Sequence, residues 1–359
     1  MNTYNKTGIA ALLTALAMTG ATAFADPLVT ISTATIGSPG NTADDAVMAY
    51  DGGTTGYGSV AYEYRIATTE VTNAQYAAFL NAVDSSGANT LALYSSRMSS
   101  DTTYGGITWN SATSSYEVKA GFANKPVNYV SVYDAMRFTN WLTNGATARA
   151  STETGVYTLL GGTAIPTNVT VGRNVVFNGE TLTGTGDLAG HTGTVWALAS
   201  EDEWYKAAYY NVGTGEYSVY PNGSDSITGA DANYYDWQNG YTNTELVDAG
   251  SYAANPNGVY DMGGNVWEWN DSLILSWDGS DISEYNARGA RGGSFFDYDS
   301  DLASSVRNYF TATLEVSDLG IRVVASSLTA VPEPSTWAGA MGLMTLVFGV
   351  WVRRGRRTL

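Results

Sequence analysis

The stretch Asn255 to Trp269, NPNGVYDMGGNVWEW, decides how this chain is read, because it crowds turn formers, tryptophans and acids into one short span. Asn257-Gly258 is a turn signal, and Gly263-Gly264 allows backbone angles closed to other residues. Side chains alternate along an extended segment, so Trp267 and Trp269 fall on one side and Glu268 on the other. The tryptophans then fill a core that has few long elements to supply it, while Glu268 faces a polar site.

Outward from this block, the sequence is rich in Gly, Asn, Thr, Ser and Tyr, with few charges and short apolar runs. That is the texture of a loop-rich domain with many turns. Three helices are expected. In TNAQYAAFLNAV, 72 to 83, the apolar residues Tyr76, Phe79, Leu80 and Val83 recur at helical spacing behind a Thr72 cap. In SVYDAMRFTNWL, 131 to 142, Ser131 and Asp134 have capping-box spacing ahead of an apolar face carrying Val132, Ala135, Met136, Phe138 and Trp141. In SEDEWYKAAYY, 200 to 210, Ser200 is followed three residues later by Glu203. Core packing is the expected role of all three apolar stripes. Short strands are expected at Glu63 to Ala67, Ala290 to Phe295 and Gly320 to Ala325. Residues 145 to 194 read as hairpins or an insertion, 26 to 57 as a loosely attached segment, and no internal repeat is visible.

The ends read differently. Lys6, the apolar run GIAALLTALAM and Ala23-Phe24-Ala25 before Asp26 have the form of a secretory signal peptide over 1 to 25. Residues 335 to 352 are apolar and uncharged, about the length of a bilayer-crossing helix. The arginines of the basic tail 353 to 359 would hold that end in the cytoplasm. The linker 327 to 334 carries Val331-Pro332-Glu333-Pro334. This order of motif, helix and arginine cluster resembles the PEP-CTERM sorting signal of Gram-negative bacteria. The resemblance implies an exosortase that recognises Pro332, Glu333 and Pro334 and removes the helix, leaving the protein at the cell surface or in the extracellular matrix. The membrane anchor would then be transient.

The chain has no cysteine, so no disulfide and no thiol chemistry is available to it. A formal net charge of -17 repels phosphate backbones and sets nucleic acid aside as a partner. Divalent cations suit such a surface better, although acidity also serves solubility.

Six blocks together resemble the formylglycine-generating enzyme, or sulfatase-modifying factor, family: EVTNAQYAAFLNAV (70–83), KPVNYVSVYDAMRFTNWL (125–142), ALASEDEWYKAAYY (197–210), NPNGVYDMGGNVWEW (255–269), RGGSF (291–295) and DLGIRVV (318–324). The resemblance implies an irregular α+β, C-type-lectin-like domain over residues 58 to 326, with short strands and long loops. It also implies calcium, held by the side chains of Asp261 and Glu268 and the carbonyls of Gly264 and Val266, an oxygen set that suits a hard cation. A second calcium would fall near Asn233 and Tyr234. The alternative for this block is packing and turn chemistry without metal.

The family's oxidase holds copper with two cysteines shortly after the GGS block. Those positions fall here on Asp297 and Leu302, and neither a carboxylate nor an alkyl side chain replaces a thiolate for Cu(I). Formylglycine synthesis by that mechanism is therefore excluded, and no copper is expected. Related iron enzymes use histidines, but His191 is the single histidine, so no iron is expected either. The former active-site groove, with Ser294, Asp297, Arg307, Asn308 and Tyr309, is expected to bind a polysaccharide or a peptide; the bland alternative is that Arg307 pairs with a neighbouring aspartate. The leading expectation is an exported, non-catalytic binding or structural module of an extracellular, biofilm-type matrix. The competing class is an enzyme of altered chemistry, metal-assisted or carboxylate-based.

Overall fold

The structure, a computed structural model, describes residues 28–49, 53–171, 193–236, 240, 245–273 and 287–328. The signal-peptide stretch, His191, the Pro332-Glu333-Pro334 motif and the apolar stretch 335–352 lie outside the described residues. No helix among the described residues is long and apolar enough to cross a membrane.

The fold is α+β. Four α-helices are present among the described residues, α1 (Asn73–Val83), the single turn α2 (Arg97–Ser100), α3 (Val132–Thr143) and α4 (Glu201–Tyr209), with a 3-10 turn at Asp299–Leu302. The three expected helices begin where their caps predict. Thr72 with Gln75, Ser131 with Asp134, and Ser200 with Glu203 each close a reciprocal capping box. Each cap satisfies backbone donors that the first turn would otherwise leave open. The helix α2 has no side-chain cap hydrogen bond and gives no such sequence signal.

Helices α1 and α3 pack through aromatic rings. Phe79 lies 5.5 Å from Phe138 and 5.3 Å from Trp141 between centroids, and all three side chains are fully buried. Edge and tilted ring pairs of this kind add to the burial of their area.

Two four-stranded sheets carry the rest. In the first, β1 (Thr33–Ile36), β2 (Tyr64–Ala67), β14 (Val323–Leu328) and β7 (Gly193–Leu198) lie side by side in that order, all antiparallel. In the second, the order is β12 (Asn308–Phe310), β11 (Arg288–Arg291), β10 (Trp267–Leu273) and β13 (Leu319–Ile321). Strand β13 runs parallel to β10, pairing Glu268 with Gly320, and β11 runs antiparallel to it. Three two-stranded hairpins complete the strands: β3 (Ile107–Asn110) with β4 (Ser115–Val118), β5 (Tyr157–Leu160) with β6 (Asn168–Val171), and β8 (Tyr210–Asn211) with β9 (Glu216–Tyr217).

Several expectations change here. The single strand expected over Gly320 to Ala325 is two strands in two different sheets, and Arg322 is the residue between them. The strand expected at Ala290 to Phe295 ends at Arg291, because Gly292 and Gly293 take φ of 104° and 70°, which no strand continues. The segment expected to be loosely attached is built in: β1 pairs with β2 over four residues, and Met48 is buried. Within 145–194, the β5–β6 hairpin matches the reading of that region as hairpins.

The α3 cap has a pH signature. Burial pushes the Asp134 carboxyl up to about 7, outweighing the Ser131 hydrogen bonds that favour its charge. A carboxyl raised in the folded state contributes stability below its unfolded value near 4 and loses it as pH rises through the folded value. Unfolding free energy is therefore expected to fall by roughly 2–4 kcal/mol between about pH 4 and pH 7 on this account. Asp134→Asn should flatten that slope in urea titrations at a series of pH values.

Candidate functional site

The opening stretch begins with a turn held from outside. Asn255 Oδ1 accepts from the backbone N–H groups of Asn257 and Val259 while its Nδ2 donates to the carbonyl of Ala207, which ties the turn to α4. The chain then makes a close approach. Gly264 has φ of 77°, and a Cβ there would sit 2.2 Å from the carbonyl oxygen of Asn233. Asp261 and Asn265 also adopt left-handed backbone angles, with φ of 51° and 59°, a conformation that Asp and Asn tolerate best among non-glycine residues.

Trp267 and Trp269 are buried, with Trp269 Nε1 donating to the carbonyl of Val130 at 3.0 Å. Glu268, on the other side of the strand, is only 1% exposed. It meets Arg322. Nε of Arg322 lies 2.9 and 2.8 Å from the two carboxylate oxygens, and one terminal nitrogen lies 2.7 Å from Oε1. Trp204 Nε1 donates to Oε2 at 2.6 Å. Four hydrogen bonds fill the acceptor sites of one carboxylate. Arg322 also donates to the carbonyls of Ala67 and Tyr260, at 3.0 and 2.8 Å.

Two further acids crowd this pair. Glu70 is 1% exposed, and its Oε1 accepts from Asn265 Nδ2 at 2.9 Å. Its Oε2 lies 3.8 Å from Arg322, beyond hydrogen-bond reach, and has no hydrogen-bond partner. Asp261 Oδ2 accepts from the N–H of Gly250, whereas its buried Oδ1 has none. Burial, with the Asp261 charge next in size, holds the Glu70 carboxyl well above the usual range, and burial raises Asp261 as well.

Asn233 is buried and donates to the carbonyl of Glu245 and to Asn265 Oδ1, at 2.9 and 3.3 Å. The N–H of Asn265 donates to the Asn233 carbonyl at 2.8 Å. Tyr234 is buried in a small apolar cluster with Ala232 and Leu302.

Of the residues expected to line the groove, Ser294 and Asp297 meet each other, and Arg307 meets Glu201. Ser294 is fully buried and its Oγ donates to Asp297 Oδ2. Burial raises the Asp297 carboxyl, and the charges of Asp301 and Asp318 add to this against the Ser294 hydrogen bond. Tyr104 stands 5.4 Å from Phe296 and Tyr235 5.7 Å from Tyr298, measured between ring centroids. Arg307 instead donates to Glu201 and to the Tyr57 hydroxyl, the latter at 3.0 Å. The bland alternative for Arg307 was thus right in kind, with a glutamate where an aspartate was expected. Glu201 also takes Arg291 Nε at 2.9 Å. Tyr309 is half-exposed on β12, and its N–H donates to Asn308 Oδ1.

A protein-family model, the sulfatase-modifying factor enzyme 1-like domain, matches residues 46–327. The chain belongs to this FGE-sulfatase family. No curated protein matches it. Among solved structures, that of CarF superposes with a TM-score of 0.53 at 19% identity, over 84% of this chain and 99% of that one. PvdO from Pseudomonas aeruginosa gives 0.45 at 16% identity, over 83% and 92%. Treponema denticola variable protein 1 gives 0.44 at 19% identity, over 82% and 94%. At this identity the CarF likeness speaks for the fold.

Within this FGE-sulfatase domain, calcium fits part of the implied ligand set. The buried Oδ1 of Asp261 is an oxygen without a partner, as a cation ligand would be. Glu268 does not fit, because its oxygens already serve Arg322 and Trp204. Among the described residues no three Asp, Glu or His side chains gather as a metal-binding group. Glu70, Arg322, Trp204 and Glu201 escaped the sequence reading as site residues. The available signal was Arg322 itself, a charge between Ile321 and Val323 in an otherwise apolar run, since a buried charge must be paired.

Arg322→Met leaves Glu268 buried and uncompensated, so it should lower unfolding free energy by about 3–5 kcal/mol. The double change Glu268→Gln with Arg322→Met should lose clearly less than the sum of the two single changes in urea titrations. Strict additivity would show that the two side chains are not coupled.

Proposed function

We propose that this FGE-sulfatase domain is an exported, non-catalytic binding or structural module, sorted by an exosortase to the cell surface or extracellular matrix. One observation carries the non-catalytic reading: the family positions that would hold the copper thiolates are Asp297 and Leu302, in a chain without any cysteine. Leu302 is fully buried against Tyr234 and Ala232, so that position serves packing. The export and sorting reading rests on the signal-peptide form of residues 1–25 and on the Pro332-Glu333-Pro334 motif ahead of an apolar stretch and four arginines.

The ligand face is the surface around Asp297, with the half-exposed rings of Phe296 and Tyr298 beside it. Rings that stack and carboxylates that accept hydrogen bonds suit a polysaccharide or a polar peptide. Arg307 is engaged by Glu201 and is therefore a support for β12 rather than a ligand contact. Calcium at Asp261 has a structural part in this reading, stiffening the turn between Gly250 and Gly264.

Expressed in a host with an exosortase, the full chain should lose its C-terminal segment and reach the surface, whereas Glu333→Ala should leave it uncleaved in the membrane fraction. Equal processing of both forms would reject the sorting reading. For the ligand face, Asp297→Asn should weaken binding to a panel of matrix polysaccharides and peptides at least about 10-fold without lowering the melting temperature. Unchanged binding would remove Asp297 from the site. Turnover of any panel member would move the protein into the enzyme class.

A further inference from the structure

Three of the four outer edges of the two main sheets are met by other groups among the described residues. On β7 the hydroxyl of Thr143 accepts from the N–H of Trp196 at 2.9 Å and donates to its carbonyl at 3.1 Å. On β13 the carbonyl of Ile321 takes the N–H of Val71 at 2.8 Å. On β12, which is three residues long, the N–H of Tyr309 goes to Asn308 Oδ1 at 2.8 Å. Strand β1 is the exception.

The ladder between β1 and β2 fixes which groups face outward. The carbonyl of Ser32 accepts from the N–H of Thr68 at 2.9 Å, and bonded and non-bonded residues alternate along an antiparallel pair, so Ala34 and Ile36 bond to β2. The N–H and C=O groups of Thr33 and Thr35 therefore point away from the sheet, and no described residue bonds to them. Native edges are commonly blunted by a lysine, a proline or a bulge. Strand β1 has none of these: its pairing is regular over four residues, Thr35 is exposed, and residues 27 to 43 contain no charged side chain.

We propose that this edge pairs with the same edge of a second copy of the chain, β1 against β1 and antiparallel, about a two-fold axis at Ala34. The arrangement is self-complementary. Thr33 of one copy faces Thr35 of the other, twice, and each facing pair exchanges two hydrogen bonds. Charge selects the occupant. With a formal net charge of -17, two copies repel over most of their surface, and the uncharged stretch around β1 is where they meet without opposing like charges. A partner recruited by charge would be basic, and it would find no carboxylate on this strand.

Pairing joins two four-stranded sheets into one of eight strands. Strand β14 runs parallel to β1, since both are antiparallel to β2, so the two copies of β14 leave the joint sheet in opposite directions. The dimer also carries two Asp297 faces, which bind a repeating polymer more tightly than one. That last consequence, unlike the pairing itself, rests on the ligand face proposed above.

The test measures the mass of the full chain in detergent by light scattering across a dilution series. Wild type should be dimeric at the concentrated end. Thr33→Glu with Thr35→Glu sets like charges opposite each other in both facing pairs and should weaken dimerisation on the order of 100-fold. It should keep the wild-type melting temperature at dilutions where wild type is itself monomeric. Thr33→Lys with Thr35→Lys should likewise be monomeric alone, and an equimolar mixture of the two variants should form the mixed dimer, a rescue that a folding defect would not produce. A wild type that stays monomeric at every dilution overturns the proposal, whatever other strand the edge accepts. A dimer unchanged in the glutamate variant overturns it too and assigns association to another surface, and so does a mixture that stays monomeric. Should the glutamate variant melt lower at those dilutions, Thr35→Pro takes its place, because it deletes an outward N–H that no bond within the domain uses. An unaltered dimer in that variant overturns the proposal as well.

Discussion

The guanidinium of Arg322 sits where the chain leaves one sheet and joins the other, and the carboxylate of Glu268 on the neighbouring strand holds it there. A charge buried this deeply loses most of its hydration, and only near-complete hydrogen bonding offsets that loss. Arg322 meets the condition by donating to Glu268, to the carbonyl of Ala67 in the first sheet and to the carbonyl of Tyr260 in the opening stretch. One side chain therefore fixes the distance between two sheets and the path of the loop that enters the second. Trp204 adds α4 to the same anchor through its indole N–H.

A second anchor of the same kind lies nearby. Glu201, at the start of α4, accepts from both Arg291 and Arg307, while Arg291 also donates to the carbonyls of Ser304 and Val306. The Arg291 guanidinium lies 5.0 Å from the Tyr57 ring and 4.9 Å from that of Tyr205. With few long elements and a large share of loop, the domain uses buried arginines to satisfy carbonyls that regular structure would otherwise pair. Apolar packing supplies the bulk of the stability, and the arginines define which loop lies where.

The legible parts of this protein were the local ones. Three helices announced themselves because a capping box and a stripe at helical spacing lie within a dozen residues of each other, as Ser131, Asp134 and Trp141 show. The family blocks made the fold class readable as well. Arg322 was hidden because its partners are distant in the chain, 54 residues away at Glu268 and 255 at Ala67. Glu70 was hidden for the same reason: its link to Asn265 spans 195 residues. Arg307 shows the same distance in another form. Standing near Tyr309 it suggested a ligand contact, but its partners Glu201 and Tyr57 lie 106 and 250 residues away in the chain, while Tyr309 stays half-exposed.

The last described strand, β14, lies in the interior of its sheet, with β2 on one side and β7 on the other. It carries a mechanical consequence. Tension applied to the chain beyond residue 328 is loaded onto a strand that must tear two ladders at once, six residue pairs on the β7 side alone. The same pull reaches Arg322 at the other end of β14, where the ionic anchor resists it. A domain tethered through its C-terminal side is thus gripped at its centre rather than peeled from an edge.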